Sequence, residues 1–205
     1  MRKGIGSGRL TEFCGRCLDI VRGKYLAILF AGFVLGLASG TSAADTTEPP
    51  SEYQLKAAVI FNFTKFIEWP DSAFAGPDTP YKIGVIGENP FEDELEKVVR
   101  DKKLGGRAFI VKQIKAVADV KTCHMLFISQ SERKRLQEIL KAAERGSVLT
   151  ISELDRFMQS GGMIHFVMEG NKVRFEINDD AAKKAGLRIS SKLLNLARRD
   201  RPNTK

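Results

Sequence analysis

Several small clusters in this chain have residue types that can do chemistry. Cys14 and Cys17 form a CGRC motif, a spacing used by redox dithiols and metal sites. Cys123 and His124 are neighbours, and His165 is the second of two histidines. Ser190 and Ser191 precede Lys192, the residue types of a serine–lysine nucleophile. Glu88 and Asn89 lie in GVIGENPF, a strand–glycine–helix turn whose backbone N–H groups can hold an anion. Arg174 and Glu176 alternate on one face of a strand, and Arg188 is available to meet them.

Most of this chemistry fails on its own requirements. A zinc site needs about four ligands in tetrahedral geometry. Cys123, His124 and His165 supply three at most, and adjacent residues on a strand point to opposite faces. No metal and no cofactor is expected. Serine–lysine catalysis needs a buried, depressed lysine, whereas Ser190 or Ser191 suits the cap of a last helix with Lys192 facing water. No G-x-S-x-G elbow or histidine-rich motif is present. No catalytic residue is therefore assigned. Glu88, Asn89, Arg174, Glu176 and Arg188 stay as candidate ligand contacts. The competing account of Asn89 is that it caps its own helix, with Pro90 at the first helical position.

The elements that must position these residues begin after a leader. Arg22 and Lys24 precede an apolar run from Tyr25 to Ala38, followed by small residues up to Ala44. A basic flank, a short apolar run and a small-residue exit describe a cleavable signal peptide over 1–44 and export to the periplasm. The run is short for a membrane span, which needs about 20 apolar residues. The residues before Tyr25, CGRC included, are long for a leader, and a start site placed too early accounts for them. Six Lys/Arg and two Asp/Glu in residues 1–44 supply half of the net +8. What remains has no basic stripe, which argues against nucleic acid. Only Cys123 survives cleavage, so no bridge forms within one chain. It is either buried, the plainer reading, or paired between two copies.

Residues 45–51 read as a linker and 52–198 as one α/β domain, with 199–205 a frayed tail. A helix is predicted over 52–68, and strands over 81–87, 107–114, 124–129 and 147–152. Further helices are predicted after Asn89, after Ser131 as cap, and over ELDRFMQS. MIHFVME-GN-KVRFEIN reads as a hairpin turning on Gly170–Asn171. A helix, a glycine break and another helix close the chain. Strands alternating with helices imply a single domain with a mixed, mostly parallel sheet flanked by helices, plus a C-terminal β-hairpin and helix. FNFTKFIEWP, residues 61–70, is the densest aromatic stretch. On a helical wheel Leu55, Val59, Ile60, Phe63, Phe66 and Ile67 share one arc, interrupted by Lys56 and Asn62, and Phe61 falls outside it. Phe61 is therefore exposed unless another element or another chain covers it. Its polar surroundings are not the strongly basic face of a membrane-surface helix.

YQLKAAVIFNFTKFIEWP, CHMLFIS, FMQSGGMIHFVMEGNKVRFEIN and AAKKAGLRISSKLLNLA together resemble the YfiR family of periplasmic regulatory proteins, over about residues 52–198. The resemblance implies a periplasmic α/β regulator, not an enzyme. It implies binding to, and inhibition of, the periplasmic sensory domain of a membrane-bound diguanylate cyclase, which lowers cyclic di-GMP. A sensor kinase is the other partner the resemblance allows. The alternative function is a small-ligand-binding module feeding such a kinase. The best-known regulator of the family uses intramolecular disulfides; with Cys123 alone this chain departs from that pattern, which argues against a disulfide switch within one subunit. Phe61, Trp69 and Pro70 are the expected partner anchors, since aromatic side chains dominate such interfaces. Trp69 equally suits a lid over the core. A homodimer is a further expected partner state.

Overall fold

A computed structural model describes residues 50–170 and 172–197. The expected leader at 1–44 with its CGRC motif, most of the 45–51 linker, Asn171 of the hairpin turn and the tail at 199–205 lie outside the described residues.

The first helix, α1, runs Glu52–Phe63. Ser51 opens it through a reciprocal capping box: its hydroxyl accepts from Gln54 N while the Gln54 side chain accepts from Ser51 N. The helix stops five residues earlier than the predicted Glu68. At its end Thr64 Oγ1 donates to Phe61 O at 2.6 Å, and Lys65 and Phe66 donate back three residues rather than four. The chain then extends into β1, Ile67–Glu68. Truncation changes which face points inward. Buried residues are Lys56, Ala57, Ile60 and Phe63, with Leu55 and Val59 half-exposed. Including the non-helical residues 66–69 in the wheel rotates the apolar arc by roughly 60° from this face.

Eight further strands follow: β2 Tyr81–Ile86, β3 Lys103–Leu104, β4 Arg107–Ile114, β5 Met125–Ile128, β6 Leu149–Ser152, β7 Ile164–Glu169, β8 Lys172–Ile177 and β9 Arg188–Ile189. The remaining helices are α2 Glu94–Val99, α3 Leu136–Glu144, α4 Asp179–Lys184 and α5 Ser191–Leu196. Seven strands form one sheet in the order β3-β4-β2-β5-β6-β7-β8, and β1 pairs antiparallel with β9 in a separate ribbon. Strands β4, β2, β5, β6 and β7 are parallel. The edge strands β3 and β8 are antiparallel to their neighbours. This is the expected mixed, mostly parallel α/β domain with its C-terminal hairpin and helix.

Alternation along the central strands fills a core on each face. Ile83, Val85, Met125, Phe127 and Ile151 pack under α1, α2 and the C-terminal helices. Ile86, Leu126 and Ile128 pack under α3 with Phe157. Cys123 belongs to this second core, only 4 % exposed, and burial pushes its thiol pKa up. A Cβ on Gly84 would stand 2.6 Å from its sulfur, so the strand carries glycine there to let the thiol in.

Three predicted helix starts differ. Asn89 caps no helix: its Oδ1 accepts from Phe91 N in a local turn, and α2 begins only at Glu94. Ser131 does not cap its own helix. It lies inside a tight 3₁₀ segment, Gln130–Arg135, and its hydroxyl accepts from Glu88 N at 2.9 Å. The stretch ELDRFMQS forms turns rather than a helix, with Gly162 allowing Phe157 to fold back against the backbone. Ser190 does cap α5, accepting from Leu193 N, and Lys192 is exposed, so that pair lacks the buried setting a nucleophile needs.

The Lys56 ammonium, 1 % exposed, bonds both Glu52 and Glu153. Tyr53 Oη donates to the second Glu153 oxygen at 2.9 Å. Removing one member of a buried pair strands the other charge, at about 3–5 kcal/mol. Glu153→Ala leaves Lys56 only the half-exposed Glu52 and is therefore expected to lose up to that much in urea unfolding. Lys56→Met is expected to lose clearly less, because Glu153 keeps Tyr53 and some water. Equal losses would contradict a buried, partner-dependent charge.

Candidate functional site

The expected anchors lie on a continuous row of aromatic side chains at the amino end of the parallel strands. Phe61, on the rim of the buried face of α1, meets Phe109 of β4 edge-on, with ring centroids 5.3 Å apart. Lys65 and Lys102 place their ammonium groups 4.9 and 5.7 Å from the Phe61 ring. Phe61 is thus half-buried, covered by another element of its own chain. Phe109 stacks on Tyr81, the first residue of β2, at 5.1 Å. Tyr81 in turn meets Trp69 at 5.5 Å and Phe74 at 5.3 Å. Trp69 is half-buried, and its indole Nε1 donates to His124 O at 3.1 Å. Pro70 follows and opens a 3₁₀ turn at Asp71–Ala73.

His124 ties this row to the loop before β2. Lys82 N donates to its Nδ1 at 3.0 Å, so Nε2 carries the proton and donates to Ala73 O at 3.1 Å. Phe74 stacks on the imidazole at 4.5 Å. The Arg107 guanidinium lies 4.0 Å from the Phe74 ring centroid and donates to Gly76 O and Thr79 O. Burial pulls the His124 pKa down to about 4; the Ala73 carbonyl opposes that shift, and the Lys82 and Arg107 charges add to it. The imidazole is neutral in the folded protein at neutral pH.

A second feature lies on the other flank of α1. Val59, Phe63, Phe66, Phe175, Leu193 and Leu196 line an apolar groove of about 370 Å³. Leu196 is 67 % exposed. Lys65 borders both this groove and the Phe61 ring. Reasoning from sequence missed the groove. Its only local signal was Leu193 and Leu196, spaced three apart on the last helix.

The candidate ligand contacts separate into three places. Glu88 and Asn89 line a hollow at the carboxyl ends of β2, β5 and β6. Arg174 lies 3.4 Å from Glu169, while Glu176 meets His165 Nδ1 at 3.3 Å. Arg188 approaches Glu68 across the β1–β9 ribbon at 3.6 Å. Among the described residues no group of three His, Cys, Asp or Glu side chains is placed to hold a metal. No described helix is long and apolar enough to cross a membrane.

The domain is a doubly wound sheet with an added antiparallel hairpin and an aromatic row along the amino ends of its parallel strands. The chain belongs to the YfiR/HmsC-like family, whose model matches residues 53–198. The family is one of periplasmic regulators of diguanylate cyclases rather than of catalysts. Among solved structures, a conserved domain protein from Vibrio cholerae O1 biovar El Tor is similar at 12 % identity with a TM-score of 0.49. The match covers 72 % of this chain and spans 59 % of that one.

The neutral state of His124 gives a pH signature. Its folded pKa lies below the unfolded value of about 6.5. Between the two the unfolded chain binds more protons, so acidification from pH 6.5 to 4 removes stability and alkalinisation restores it. Melting temperature is expected to fall across that window. In His124→Asn, which keeps an acceptor near Lys82 N but cannot titrate, the fall is expected to be shallower. Parallel wild-type and variant curves would contradict the assignment.

Proposed function

We propose that this protein acts in the periplasm by binding the periplasmic sensory domain of a membrane-bound diguanylate cyclase and holding the enzyme in an inactive arrangement, which lowers cyclic di-GMP. The supporting observation is the apolar groove beside α1, with Leu196 exposed at its end and the half-buried Phe61 across Lys65. An apolar groove flanked by aromatic side chains suits a partner's helix or strand. In this reading Phe61, Trp69 and Pro70, on the other flank of α1, are a second contact with the partner. Inhibition requires tighter binding to the inactive partner state than to the active one, because equal affinity shifts no equilibrium.

The test is capture of the protein from detergent-solubilised membranes of its own cells, with cyclic di-GMP measured in parallel. A cyclase with a periplasmic domain is expected to co-purify. Leu196→Glu is expected to lose the partner and raise cyclic di-GMP while stability stays within about 0.5 kcal/mol, as for other surface substitutions. Phe61→Ala is expected to weaken capture as well, with a stability loss of about 1–2 kcal/mol from the lost edge contact with Phe109. Capture undiminished by either change would overturn the placement of the interface. A sensor kinase in place of the cyclase would replace the enzyme under control.

A further inference from the structure

We propose that the crevice at the carboxyl ends of β2, β5 and β6 is a binding site for a small organic cation, a primary amine, held by Glu88, Ser129 and Glu153. This goes beyond the partner-binding reading and does not depend on it.

Topology places the crevice. The chain leaves β2 and returns through α2 to β4 on one side of it, while β5 lies on the other side. Helix α2 covers one face of the sheet and α3 the opposite face. The loops after β2 and β5 therefore part, and open α/β sheets bind ligands at such a switch point. Here the gap encloses about 250 Å³, room for a small molecule. Its walls are rigid. Glu88 N donates to Ser131 Oγ, and Gln113 Nε2 donates to Gly87 O at 2.6 Å. Gly87 has φ +89°, and a Cβ there would stand 2.4 Å from Ser131 Oγ, so glycine allows the two loops to touch at the base of the gap.

The side chains choose the ligand. Ser129 is only 6 % exposed and lines the crevice, yet its hydroxyl has no hydrogen-bond partner among the described residues. The hydroxyl is therefore free to accept from a ligand in the crevice. Glu88 is exposed at the mouth, and its carboxylate also has no partner among the described residues. Glu153 closes the inner wall with Tyr53. Lys56, behind the inner wall, is buried and already shared between Glu52 and Glu153. At the rim Arg133 is engaged by Asp155 at 3.2 Å. Two carboxylates line the crevice, Glu88 and Glu153, and no lining residue is cationic, which leaves it acidic. The donor set is too sparse for a metal. Carboxylate and hydroxyl acceptors around a small volume suit an ammonium group with several N–H donors. The anion expected from the strand–glycine–helix turn is disfavoured, since Asn89 turns inward on Phe91 and no long helix starts there.

The experiment is a titration of the purified protein with putrescine, and separately with succinate at matched ionic strength, read by amide shifts in two-dimensional NMR spectra. Putrescine is expected to give saturable shifts at Glu88, Ser129, Gln130 and Ser131, and succinate none. Glu88→Gln is expected to weaken putrescine roughly fivefold, the loss of about 1 kcal/mol for one partly solvated charge contact, with the ligand-free melting temperature unchanged. Ser129→Ala is expected to weaken it too, again without loss of stability. Shifts with succinate at the same amides would make this an anion site and overturn the proposal. So would putrescine shifts that never saturate, or wild-type affinity in Glu88→Gln.

Discussion

A lysine ammonium buried in the middle of the first helix sets the terms for this fold. Lys56 cannot be left unpaired at 1 % exposure, because an isolated charge in that setting costs several kcal/mol. Glu52 comes from its own helix one turn earlier, but Glu153 comes from the loop after β6. The helix must therefore lie with Lys56 facing the carboxyl end of the sheet. That choice turns Ala57, Ile60 and Phe63 into the core and moves Phe61 to the rim, where Phe109 meets it. It also brings Tyr53 against Glu153, and with it one wall of the crevice. A hydrophobic residue at position 56 would pack as well, but would not choose a rotation for the helix. The charge supplies orientation rather than net stability.

The two ends of the parallel sheet have different characters for a topological reason. At the carboxyl end, helices depart to opposite faces and the loops stand apart, leaving a polar crevice. At the amino end, β2 is entered from a proline-rich loop whose own backbone hydrogen bonds are few, a 3₁₀ turn at Asp71–Ala73 and the bond from Thr79 N to Gly76 O. Aromatic stacking and three side chains do that work instead: Trp69 on His124 O, His124 between Lys82 N and Ala73 O, and Arg107 on the carbonyls of Gly76 and Thr79. Backbone groups that a helix would satisfy locally are satisfied here from across the fold. The aromatic row is thus a structural lock with a half-exposed edge, and a partner meeting that edge meets a rigid surface. The adjoining groove has a different origin. Helix α5 is a single short segment whose Leu193 reaches the core while Leu196 does not, so apolar surface is left over at the end of the described residues.

Local patterns settled much of this protein. Alternation in KVRFEIN, with Gly170 before Asn171, determined the hairpin, because period two and a two-residue turn are properties of adjacent residues. The runs IGVI, MLFI and VLTI determined buried strands, and the spacing of Leu136, Ile139 and Leu140 determined one face of α3. The family was legible for the same reason, in motifs spread over nearly the whole domain. Cys123, flanked by apolar neighbours, was legible as a buried thiol. The inward face of α1 was not, because the end of the helix depends on β1 finding β9 over a hundred residues later. The partner of Lys56 was not, since Glu153 is 97 residues away. Neither Ser131 nor Asn89 could be told from a helix cap, because a hydroxyl or amide beside a turn accepts from whichever N–H the fold delivers. The groove belongs wholly to tertiary structure, and of the crevice only the turn at Glu88 and Asn89 was legible beforehand. Each is a gap between elements distant in sequence, and the order of parallel strands that opens one of them follows from how helices pack on the two faces, which no local pattern records.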